Sequence, residues 1–136
     1  MNNTNAYESR IKFASRELNA IEKIKMKDLA ATLSLDDELK NADGNKILIS
    51  PDLLLEIDIH NPKSKGGSED YTVFVIVDAE TGVRYRTSSE SFKNAISDIW
   101  RELNEAGVAL SEIKLLAFRK PSKNFAGKDF LTCTIA

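Results

Sequence analysis

The stretch YTVFVIVDAETGVRYRTSS, residues 71–89, constrains the fold more than any other part of this 136-residue chain. Val73 to Val77 form a β-branched and aromatic run, too short and too rich in valine to favour helix, and DAETG turns it into a second run around Tyr85. A β-hairpin follows. Upstream, LLLEIDIH puts Leu53, Leu55, Ile57 and Ile59 on one side and Leu54, Glu56, Asp58 and His60 on the other, the period-two pattern of a half-buried strand. Between the two, NPKSKGGSED has the composition of a long loop.

Downstream the periodicity changes. Phe92, Ile96, Ile99, Trp100 and Leu103 recur at helical spacing until Gly107, with Ser89 or Ser91 available as the N-terminal cap. The stretches EIKLLAF and DFLTCTI are two further strands. Three strands, a helix and two strands make the element order of an OB-fold, a five-stranded, partly open Greek-key barrel. The sequence therefore predicts a β-rich α+β protein with an OB-fold domain over residues 46–136 and its helix between the third and fourth strands.

Residues 1–45 read differently, as an N-terminal extension that meets the main domain at the turn NADGNK. The first dozen residues are expected to be a mobile arm. Leu18, Ile21, Ile24 and Leu29 then suggest a short amphipathic helix, with a strand over residues 23–27 as the alternative. A short helix cannot bury these side chains alone. Residues 1–40 are therefore expected either to support self-association or to pack on their own barrel.

Apolar runs such as VFVIV fall far short of the roughly 20 residues that cross a bilayer, so no membrane span is expected. The opening MNNTNAYESR has no apolar core, and the lone Cys133 alternates with Leu131 and Ile135 as a buried strand residue does. A cytoplasmic location is the expectation. Enzyme classes find little support: there is no phosphate-cradling GxxxxGK loop, and one Cys with one His cannot complete a zinc site. Glu56, Asp58 and His60 project together along one strand and are the best metal candidate, but a solvated strand face is the far commoner reason for such a pattern.

Charge is distributed unevenly. The chain has a formal net charge of -2, yet Lys114, Arg119, Lys120, Lys123 and Lys128 are uninterrupted by any acidic residue. Within FRKPSKNFAGKDF the last four of these cations surround Phe125, while Pro121, Asn124 and Gly127 mark a turn-forming connection between the last two strands. Cations around an exposed ring suit unpaired nucleic acid, because phosphates need neutralising and bases need a stacking surface. Otherwise the lysines keep a strand edge soluble and Phe125 closes the barrel end. The hairpin offers a second candidate. With Val77 opposite Val83, Phe74 shares a face with Arg84 and Arg86, and two guanidinium groups require that face to look outward. In the competing reading Phe74 packs beneath the helix. Trp100, on the apolar stripe of the helix, is assigned to the core.

SSESFKNAISDIW followed by FRKPSKNFAGKDFLTCTI resembles the PrgE-like OB-fold single-stranded DNA-binding proteins of Gram-positive phages and conjugative plasmids. The resemblance covers residues 46–136. It implies sequence-tolerant binding of single-stranded DNA during replication or transfer, without a cofactor. It also implies that Lys123, Asn124, Phe125 and Lys128 form a DNA-facing loop, with Phe130 opening the last strand. From a different class, a small protein-interaction module docking an acidic partner fits the same surface, since OB-folds host many ligands.

Overall fold

The structure, a computed structural model, describes residues 7–62, 70–121 and 129–136. In chain order its elements are β1 (Glu8–Ala14), α1 (Ala20–Met26), β2 (Leu33–Ser34), α2 (Leu35–Asn41), β3 (Lys46–Ile49), β4 (Pro51–His60), β5 (Asp70–Asp78), β6 (Arg84–Thr87), α3 (Glu90–Glu105), β7 (Leu115–Pro121) and β8 (Asp129–Ile135). They form two open sheets, one ordered β1-β4-β5-β6-β2 and the other β3-β7-β8. The five expected strands are present, with α3 between the third and fourth of them.

The chain changes sheets at a single residue. β3 pairs with β7, β4 pairs with β5, and only Ser50 separates them. Asp78 secures this corner. Its carboxylate accepts the Ser50 N–H at 3.2 Å and the N–H groups of Glu80 and Thr81 at 2.8 and 3.0 Å, while Ala79 N–H donates to the Ser50 carbonyl at 2.7 Å. Burial alone would raise the pKa of this carboxyl, but the N–H groups of Thr81, Ser50 and Glu80 outweigh it and hold the pKa below its usual range.

The same aspartate sets the hairpin register. Asp78 N–H donates to the Val83 carbonyl at 2.9 Å, and Gly82 supports the turn with a φ of 75°. Val77 therefore lies opposite Arg84, Ile76 opposite Tyr85, Val75 opposite Arg86 and Phe74 opposite Thr87. The expected pairing of Val77 with Val83 is off by one residue. Because strand side chains alternate, that slip moves Arg84 and Arg86 to the face opposite Phe74.

Both faces of the larger sheet are buried. On one, Leu54, Phe74 and Ile76 pack with Leu35 and Leu39 of α2, Phe92 and Ile96 of α3, and Leu115, Ala117, Leu131 and Cys133 of the second sheet. On the other, Leu53, Leu55, Ile57, Val73, Val75 and Val77 meet Leu18, with Met26 and Leu29 packed at its margin. The segment Glu8–Ala14 is thus built into the described fold. β1 pairs along β4, where a mobile arm was expected, and a bulge between Ile11 and Phe13 sends these side chains to opposite faces. Phe13 meets Trp100 edge-on at 5.1 Å, in keeping with the core role expected of that tryptophan.

α3 forms as its periodicity predicts. Ser89 caps it by accepting the Phe92 N–H at 3.2 Å, and Ser91 ties it to β8 by donating to the Leu131 carbonyl at 2.6 Å. Gly107, at a φ of 73°, follows its end.

Candidate nucleic-acid interface

The hairpin does not supply the expected aromatic and basic face. Phe74 is 4% exposed and meets Phe92 edge-on at 6.3 Å, so its ring belongs to the core beneath α3 and has no room to stack on a ligand. Arg84 donates to the Lys25 carbonyl at the end of α1, and Arg86 donates to the Thr32 carbonyl at 2.8 Å and its hydroxyl at 3.1 Å. Both arginines therefore hold down residues 20–32. Half-buried cations were expected to face solvent, and backbone carbonyls meet their need for partners instead.

The basic stretch divides by strand alternation. Arg119 points to the inner side of β7, where it lies 3.3 Å from Asp36 and 3.7 Å from Asp129. Lys120 takes the outer side and is exposed. Lys123, Asn124, Phe125 and Lys128 lie outside the described residues. The ends of their connection are fixed, because Pro121 pairs with Asp129 at the tip of β7 and β8.

The outer face of β3-β7-β8 gathers what the hairpin lacks. Leu115, Ala117, Leu131, Cys133 and Ile49 all point into the core. Alternation therefore directs Leu116, Phe118 and Lys120 of β7, Phe130 and Thr132 of β8, and Lys46 and Leu48 of β3 to the other side. Lys46 lies opposite Phe118, and Lys120 opposite Phe130, placing each lysine beside a ring. Phe118 and Phe130 are half-buried, Leu48 is 55% exposed, and none of these side chains joins either core. Neither Lys46 nor Lys120 forms an ion pair among the described residues.

Phe118 and Lys46 were not singled out as site residues from the sequence. The signal existed: EIKLLAF reads apolar at both parities from Leu115 to Phe118, which on a two-sided strand means that the second face is either covered or used.

The acidic strand residues have partners of their own. Glu56 lies 3.5 Å from Lys93, Asp58 accepts from the Thr72 hydroxyl at 2.8 Å, and His60 contacts Asp70 at 2.7 Å. Among the described residues no three His, Cys, Asp or Glu side chains gather as a metal site would need. Cys133 is buried, and burial pushes its thiol up to about 12, so it stays protonated and unreactive near neutral pH. No described helix is long and apolar enough to cross a membrane.

Compared with known proteins, the chain matches no family model, no curated protein and no solved structure at a significant level.

Proposed function

We propose that this chain is a sequence-tolerant single-stranded DNA-binding protein that acts without catalysis or cofactor. One observation carries the reading: the outer face of β3-β7-β8, which joins neither core among the described residues, sets Phe118 and Phe130 beside Lys46 and Lys120. Rings on an open sheet stack on unpaired bases, worth about 1–3 kcal/mol per base, while lysines replace the counterions of phosphates. The connection between β7 and β8 extends this surface in sequence, adding Lys123, Asn124, Phe125 and Lys128.

On the same reading, β3 with β4, then β5, β6, α3, β7 and β8 are the parts of an OB-fold, whose strands and final hairpin loop are suited to oligonucleotides. This agrees with the resemblance of residues 46–136 to the PrgE-like proteins, and it assigns a cytoplasmic role in replication or conjugative transfer. Self-association through residues 1–40 belongs to the proposal too. Its most exposed apolar handle among the described residues is Ile21 and Ile24, 66% and 70% exposed on α1, since Leu18, Leu35 and Leu39 are buried in the chain's own cores.

Anisotropy titration of labelled oligo-dT at several salt concentrations tests the proposal. With Lys46, Lys120, Lys123 and Lys128 neutralising about four phosphates, log affinity should fall against log salt with a slope near -3, at about -0.7 per contact. Phe118→Ala and Phe130→Ala should each weaken binding by about 1–3 kcal/mol. Binding indifferent to salt and to both substitutions would reject the reading. The exposure of Leu48 beside Leu116 favours the second reading, an acidic protein partner on the same face. Failure to bind oligo-dT even at low salt would leave that one standing.

A further inference from the structure

The cover that residues 18–32 lay over the larger sheet leaves a cleft of about 390 Å³ at one end, bordered by Tyr7, Tyr71, Val73, Arg86, Asp36 and Ser88. Its volume lies within the range of small-ligand sites. Two tyrosines beside one cleft are unusual here. Tyr7 is 51% exposed and Tyr71 39%, whereas Phe74 and Phe92 are buried. Both tyrosines border the cleft, and the Tyr7 hydroxyl ionises less readily than usual because of partial burial and then because of Tyr71 and Asp28.

Arg86 is held in place on the wall of the cleft. Its two bonds to Thr32 use one nitrogen of the guanidinium, leaving further donors in a fixed orientation. The Asp36 carboxylate is offset by Arg119 at 3.3 Å, so the cleft does not simply repel an anion. Arg119 stands on the inner side of β7, so the Asp36 border of the cleft reaches the inner side of the strand whose outer side carries Phe118 and Lys120.

We propose that the cleft receives one unstacked nucleobase of the single strand bound across β3-β7-β8, stacked against Tyr71 and Tyr7, with Arg86 beside the neighbouring phosphate. The inference rests on the DNA-binding function proposed above. Aromatic rings accept any base, so the cleft adds affinity without sequence preference.

Photo-cross-linking of the full chain to oligo-dT carrying iododeoxyuridine, followed by peptide mapping, tests this directly. Adducts are expected on Tyr71 or Tyr7 as well as on Phe118 or Phe130. Tyr71→Ala should weaken oligo-dT binding about tenfold, while Tyr71→Phe, which keeps the ring, should stay within about twofold. Retained binding with adducts confined to the phenylalanines, and no change for Tyr71→Ala, would overturn the cleft and leave the DNA-binding function intact. Equal labelling of Tyr71 by free iododeoxyuridine monophosphate would overturn its assignment to a base within a strand. No oligonucleotide binding at low salt would reject both together. Cross-linking uses the unaltered protein, so a folding defect in a variant cannot mask the outcome.

Discussion

Among the described residues, Asp78 accepts more backbone N–H groups than any other side chain. One buried carboxylate satisfies three backbone N–H groups, at the hairpin turn and at the passage between sheets. Its folded-state pKa lies below its unfolded value near 4, so its stabilisation is complete above that pH and is lost as the pH falls through the folded value. Urea unfolding followed from pH 7 to pH 3 should show stability dropping below about pH 4. Asp78→Ala should cost about 2–3 kcal/mol at pH 7, because N–H groups left without an acceptor in the interior are expensive, and should flatten that part of the profile. At this scale the sequence is a partial guide. Alternation along YTVFVIV assigns Phe74 and Ile76 to a common face, but the pairing fixed by Asp78 decides whether Arg84 and Arg86 share it. A one-residue change in the hydrogen-bonded turn separates the two outcomes, and DAETG accommodates either.

Among the elements, those with strong periodicity are legible and short edge pieces are not. α3, β5 and β8 fall close to their expected bounds, since a buried stripe or a valine run leaves little choice. β1 is different: its pattern is broken by the bulge that splits Ile11 from Phe13, and its charged residues Glu8, Arg10 and Lys12 resemble those of an exposed arm. β3 has only four residues and gains its identity from β7. The arginines of β6 bear on how residues 20–32 stay in place. Arg84→Ala removes the cation that caps the Lys25 carbonyl near the end of α1, at a cost of about 1 kcal/mol. Limited proteolysis should then cut faster within residues 20–32, while oligo-dT affinity stays within about twofold. A large loss of affinity with unchanged proteolysis would restore Arg84 to the interface.

For the molecule as a whole, the candidate interface joins residues distant in sequence, so the sequence alone makes only half of it legible. Lys120 and Phe130 stand in one basic stretch, but Lys46 reaches them only through the pairing of β3 with β7. Assembly belongs to this scale as well. Ile21→Ser with Ile24→Ser should leave binding to short oligonucleotides unchanged and reduce cooperative coating of long ones, measured by titration across strand lengths. Unchanged cooperativity would remove residues 1–40 from the contact between subunits. The passage at Ser50 has a mechanical consequence. The tyrosine cleft belongs to one sheet and the phenylalanine surface to the other, so tension along a single strand bound as proposed would be borne in part by the hydrogen-bonded corner at Ser50 and Asp78. Its resistance to pulling should therefore soften in acid, well before apolar packing gives way.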